Sequence, residues 1–189
     1  ANTNAIENRE VFLTNDFQLD VDGILNAIDS NTKLIFICSP NNPTGNVIAE
    51  NSITELLEKF DGLVIIDEAY IDFANADSWS TRLQEHPNLI VTQTLSKAYG
   101  MAGIRLGMCF ASAEIISVLN KIKPPYNVNI LTQQVALKRV IEDETVKQEI
   151  KVLIGERQKL EVALGDVDVI EKIYASEANF ILAKVDNAN

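Results

Sequence analysis

Apolar residues in this chain gather into short unbroken runs, separated by segments of helical period. Residues 34–38, 63–66 and 89–92 are such runs, the third continuing outward to Asn88 and Thr94. Unalternated runs of this length suit strands covered on both faces, as in a parallel sheet. A helical pattern over residues 53–60 lies between the first two, and helices between strands make right-handed crossovers the economical connection. The pattern therefore predicts a doubly wound α/β fold with a three-layer, mostly parallel sheet. A further strand is predicted over residues 106–110. Its approach from Lys97 is too short for a crossover helix, which favours antiparallel pairing.

Beyond this strand the character changes. Residues 113–121 read as a helix that Pro124-Pro125 stops. Two longer amphipathic patterns follow, over residues 130–141 and 145–164, with Glu, Lys and Arg at the outward positions and Gly165 closing the second. Residues 170–174 and 179–185 then look like two strands of a different, incomplete layer. A boundary near Pro124 divides the chain into a sheet domain (1–123), connecting helices (124–164) and the start of a small α+β C-terminal domain (165–189). No internal repeat or low-complexity tract interrupts this order.

Composition narrows the class. A chain of 189 residues with 47% hydrophobic and 23% charged residues has the makings of a packed core. Sixteen basic residues against 27 acidic give a formal charge of −11, which opposes attraction to nucleic acid or anionic lipid and requires any phosphate site to be local. Cys38 and Cys109 sit inside apolar runs, so both are expected to be buried hydrophobes rather than a disulfide or metal ligands, and no metal site is expected. No run reaches the roughly 20 residues that span a bilayer, and residues 1–4 carry no signal pattern. Cytoplasm is the expected compartment. The start lacks Met and residues 184–189 end just after a strand, so the chain reads as cut at both ends.

The chemistry lies at strand ends. The run ending at Thr94 leads into Ser96-Lys97-Ala98-Tyr99-Gly100, a lysine among small and hydroxyl residues, and Arg105 follows. Arginine offers a permanently charged fork suited to phosphate. A reactive amine with a phosphate anchor suggests pyridoxal phosphate. Asn41-Asn42-Pro43-Thr44-Gly45 follows the first strand and Asp67-Glu68-Ala69-Tyr70 ends the second. In open α/β sheets ligands collect at the carboxyl ends of parallel strands, where all three segments emerge. Alternation points Glu68 away from Asp67, so a structural role is expected for it. Taken singly, each residue has a plainer reading: a surface lysine, a turn-capping carboxylate, an Asn-Pro turn.

Together these residues resemble the fold-type I pyridoxal-phosphate aminotransferases, and most closely their histidinol-phosphate branch. The resemblance runs through Ser39-Pro40-Asn41-Asn42-Pro43-Thr44-Gly45, Ile66-Asp67-Glu68-Ala69-Tyr70-Ile71-Asp72-Phe73 and Thr94 to Gly107, with support from Lys123-Pro124-Pro125-Tyr126-Asn127-Val128 and Glu177-Ala178-Asn179-Phe180. It implies the large domain of that fold over residues 1–123. It also implies that Lys97 forms the Schiff base with pyridoxal 5'-phosphate, that Asp67 faces the pyridine nitrogen, and that Tyr70 and Asn42 bond the phenolic oxygen. Thr94, Ser96 and Arg105 would hold the phosphate. Tyr126, Asn127 and Asn179 would border the substrate.

The activity implied is amino transfer between histidinol phosphate and 2-oxoglutarate in histidine biosynthesis, its partners a small-molecule amino donor and a 2-oxo acid, with a homodimer for the full-length parent. Three alternatives stand beside it. A threonine-phosphate decarboxylase would share the cofactor pocket. An ATPase would explain Asp67-Glu68 but needs a Gly-Lys-Ser/Thr loop that the sequence lacks. A fragment without turnover would keep the pocket alone. His86 reads as a surface residue and Trp79 as packing.

Overall fold

Four strands form one sheet in the order β1 (Leu34–Cys38), β2 (Leu63–Asp67), β3 (Leu89–Thr94) and β4 (Gly107–Ala111). The computed structural model describes residues 5–186. Residues 1–4 and 187–189, on which the reading of the chain ends rests, lie outside the described residues. The first three strands are parallel and β4 runs antiparallel to β3. The fold class expected from the sequence, α/β with a mostly parallel sheet, is the one observed, and so is the antiparallel turn-back after Lys97.

The core forms where two periodicities meet. Helix α2 (Glu50–Lys59) presents Ile53, Leu56 and Leu57, and its C-cap residue Phe60 extends the same stripe. These pack on Ile37, Val64, Ile66, Leu89 and Val91, every second residue of β1 to β3, together with Trp79. Helix α1 (Val21–Ala27), which the apolar pattern did not announce, adds Val21, Ile24 and Leu25 to the same face. Asp20 caps it, accepting from the Gly23 amide at 2.9 Å.

The opposite face is built from the alternate residues. Register places Cys38, Asp67, Thr92 and Cys109 in one row across the sheet, and neither α1 nor α2 covers it. Phe36, two residues before Cys38, is 72% exposed. The burial expected for the two cysteines is therefore corrected: both are exposed, because an apolar run does not reveal which face the helices of this chain cover. His86, expected at the surface, is half-buried. Its Nε2 is buried without a partner and its ring lies 6.3 Å from that of the buried Trp79.

Helices α3 (Ala113–Ile122), α4 (Ile130–Ile141) and α5 (Asp143–Gly165) follow, each within a few residues of its predicted span. Ile150 and Ile154 of α5 pack on a second cluster made of Tyr70, Phe73, Ala98, Ala178 and Phe180. Strands β5 (Ile170–Ile173) and β6 (Ala183–Val185) pair antiparallel. The strand expected from Asn179 starts only at Ala183, because Ser176 donates to the Phe180 carbonyl at 2.6 Å and accepts from the Ala178 amide. Such local side-chain bonds compete with a strand ladder. No helix among the described residues is long and apolar enough to cross a membrane.

Removing packing from this core should be expensive. Leu56, fully buried, is expected to cost about 2–5 kcal/mol as Leu56→Ala, whereas Val162→Ala on the exposed face of α5 should stay within about 0.5 kcal/mol. Urea unfolding of the two variants beside the wild type checks the contrast.

Candidate active site

Hydrogen-bond ladders bring the three chemical segments together. Past the last residue of β1, the Ser39 amide donates to the Asp67 carbonyl at 3.0 Å, and past β2 the Glu68 amide donates to the Thr92 carbonyl at 2.8 Å. The loops after β1, β2 and β3 thus leave adjacent strands at the same edge, as the sequence pattern anticipated.

Tyr70 is the junction among them. Its hydroxyl accepts from Asn42 Nδ2 at 3.1 Å, and Lys97 Nζ stands 5.0 Å from its ring centroid, within reach of a cation–π attraction. Phe180 meets the same ring edge-on at 5.1 Å between centroids. One buried phenol therefore touches the first and third loops at once. Lys97 itself is exposed, on a turn in which the Gly100 amide donates to the Lys97 carbonyl at 3.0 Å and the Met101 amide to the Leu95 carbonyl at 2.9 Å. The Arg139 Nε of α4 holds the Tyr99 carbonyl at 3.1 Å, fixing the far side of that turn.

Asp67 and Glu68 part at the strand end. Asp67 is exposed on the open face, and its Oδ1 accepts the Ala69 amide at 3.1 Å. Glu68 turns to the helix-covered side and is 1% exposed, as alternation required. Beside Asp67, partial burial and then the carboxylate's negative charge push the Cys38 thiol pKa up. Burial alone pushes up that of Cys109, at the other end of the row.

Thr94 and Ser96 form a hydroxyl pair. Thr94 Oγ1 donates to Ser96 Oγ at 2.9 Å and accepts the Ser96 amide at 3.1 Å. Arg105 follows a 3₁₀ turn (Ala102–Ile104), with its backbone in the left-handed region at φ 55° and its guanidinium donating to the Ala102 carbonyl at 3.0 Å. It lines a surface cleft of about 520 Å³ shared with Asn127, Asn129 and Thr132. Tyr126, next to Asn127, is 93% exposed. The structure thus joins Asn42, Tyr70 and Lys97 directly, sets Asp67 on the neighbouring strand end, and groups Thr94 with Ser96. Among the hydrogen bonds of the described residues, none joins Arg105 to that hydroxyl pair.

Sequence reasoning missed how the 174–180 segment docks. The Glu177 amide donates to the Gly45 carbonyl at 2.7 Å, and Arg157 of α5 donates to the Ala178 carbonyl at 2.6 Å. Gly45 has φ +77°, and a Cβ there would lie 2.6 Å from Ser176 Oγ. The Gly45 turn was legible; its partner 131 positions later in the chain was not, since only Glu177-Ala178-Asn179-Phe180 carried any signal.

Known proteins match this chain along its whole length. The aminotransferase class I and II family profile matches residues 1–188. Histidinol-phosphate aminotransferase of Flavobacterium johnsoniae is 61% identical over 189 residues, 100% of this chain and 54% of that protein. The solved histidinol-phosphate aminotransferase of Clostridium acetobutylicum superposes with a TM-score of 0.83 at 23% identity, over 93% of this chain and 54% of that one. That of Sinorhizobium meliloti, in complex with pyridoxal-5'-phosphate, gives 0.80 at 24% identity, over 90% and 47%. At these identities the two structures speak for the fold. The chain spans about half the length of the curated relatives it matches.

The neighbourhood of Asp67 is open to a direct test in cofactor-free protein. Asp67→Asn is expected to lower the Cys38 thiol pKa and speed its alkylation, by up to about fivefold for one unit charge removed at close range, while Cys109 keeps its rate. Mass spectrometry of iodoacetamide-treated protein reads both sites, and an unchanged ratio would show that the carboxylate does not act on Cys38.

Proposed function

The chain belongs to the aminotransferase class I and II family, and we propose that it forms the cofactor-binding part of an enzyme that moves an amino group between histidinol phosphate and 2-oxoglutarate, in histidine biosynthesis. The observation that carries this reading is the Asn42–Tyr70–Lys97 cluster, with an amine set against a phenol that an amide holds in place. Support comes from the name borne by a relative 61% identical over the whole chain.

The donor set fits pyridoxal 5'-phosphate: an exposed amine, a carboxylate at the neighbouring strand end, a phenol paired with an amide, and two adjacent hydroxyls, with an arginine on the turn that follows them in the chain. When bound, the cofactor supplies an aldehyde that captures amines and a ring that draws electrons from the substrate's reacting carbon. Lys97 would hold the cofactor and, once released from it, carry a proton to and from that carbon. Asp67 would keep the proton on the ring nitrogen, since an anion there favours the charged ring. Tyr70 and Asn42 would bind the phenolic oxygen. Thr94, Ser96 and Arg105 would take the phosphate, the guanidinium supplying charge in a chain of net −11.

We read residues 1–123 as part of the large domain, 124–164 as connecting helices and 165–189 as part of the small domain. For the full-length parent we propose a cytoplasmic homodimer acting on small molecules, without nucleic-acid or membrane partners.

Borohydride reduction of the full-length protein with pyridoxal phosphate should label the peptide containing Lys97, and Lys97→Ala should lose at least about 10²-fold in turnover. A label on another lysine would overturn the assignment. Release of carbon dioxide from threonine phosphate, with no amino transfer from histidinol phosphate, would replace the activity by the decarboxylase one.

A further inference from the structure

Glu68 is a buried carboxylate that the reaction described above does not use. It is 1% exposed and pairs with no cation among the described residues. Three neutral donors satisfy it: Ser78 Oγ at 2.6 Å, the Trp79 amide at 2.7 Å and Gln93 Nε2 at 2.8 Å. Gln93 also donates to Ser78 Oγ at 3.1 Å. A carboxyl so far from water is costly without partners, and removing those partners costs more than the bonds are worth. The network needs a reason to be where it is.

Its place supplies one. Glu68 follows Asp67, and Gln93 precedes Thr94. Because strand residues alternate between faces, a bond between Glu68 and Gln93 on the helix-covered face ties together the backbone units that carry Asp67 and Thr94 on the open face. We propose that Glu68 is a positioning residue: through Gln93, Ser78 and the Trp79 amide it clamps the ends of β2 and β3, and so fixes the carboxylate meant for the ring nitrogen relative to the hydroxyl meant for the phosphate. It touches neither cofactor nor substrate. The proposal rests on the functional reading above.

The experiment uses the full-length protein reconstituted with pyridoxal phosphate. Wild type is first shown to carry the cofactor on Lys97; a label elsewhere refutes the functional reading, and the positioning role with it. Glu68→Ala and the milder Gln93→Leu are then compared with wild type for cofactor affinity and for the pH midpoint of the bound cofactor's visible absorption. Both are expected to weaken affinity by about tenfold, the equivalent of one buried donor or acceptor left unpaired, and to displace the midpoint.

The exchanged pair Glu68→Gln with Gln93→Glu offers a partner to every donor again, and should recover both readouts. A role in stability alone would lower the melting temperature of the folded variants and leave midpoint and affinity at wild-type values, and that result overturns the proposal. If Glu68→Ala fails to fold, Gln93→Leu and the exchanged pair decide by the same two readouts. Failure of the exchanged pair to restore the midpoint when Gln93→Leu has moved it also counts against the clamp.

Discussion

The register of the parallel ladder is the constraint on which the remainder of this structure depends. Cys38 lies opposite Asp67, and Asp67 opposite Thr92. Because side chains alternate with a period of two, sliding β2 by one residue would turn Asp67 into the helix layer and swing Glu68 out onto the open face. Val64 and Ile66, both fully buried against α2, resist that slip, since it would put Ile65 and the carboxylate of Asp67 in their places. The hydrophobic effect, which is not directional, thereby acquires the power to aim a carboxylate.

The same register divides labour between the faces. One side of the sheet is dry, closed by α1, α2 and Trp79, and there the Glu68 carboxyl is held by three donors. The other side carries Asp67 and Thr92 in a row that remains open to solvent. Loops supply the remaining chemistry, but they are not loose. Tyr70 is pinned by Asn42 and Phe180, the Lys97 turn by Arg139, and the Gly45 turn by Glu177. Helix α5, remote in sequence from the strands, contributes Ile150 and Ile154 to the cluster beneath Tyr70 and Ala98. The long amphipathic helices are thus part of the floor of the site.

What could be read from the sequence follows from range. Apolar runs announced β1 to β4, and alternation alone separated Asp67 from Glu68, because both signals are local. The burial of Cys38 and Cys109 was misread since it depends on which face the helices take, a property of the assembled sheet. The packing of His86 was not legible for a related reason: its polar context lies along the chain, while its ring neighbour, Trp79, lies across a turn. The shortening of β6 depends on Ser176 bonding its own loop and on Gly45 leaving room for it. No periodicity records that pairing. The donors to Glu68 come from two further segments, and nothing in Ser78 or Gln93 by itself marks a buried carboxylate.

Arg105 shows how local strain and proposed function meet. Its backbone sits at φ 55°, ψ 48°, a region that glycine enters without steric cost and that other residues occupy seldom, at roughly 1–3 kcal/mol. The surrounding chain does not demand an arginine for packing, since the residue is exposed and its side-chain bond is to the Ala102 carbonyl only three residues back. A glycine at this point would relax the turn between the Lys97 loop and β4. It would also remove the positive charge closest in sequence to the hydroxyls of Thr94 and Ser96 after Lys97, in a chain whose acidic residues outnumber its basic ones by 27 to 16. Such strain is compatible with the task proposed for the guanidinium, since only a charged fork offers a phosphate paired N–H donors together with a fixed positive charge.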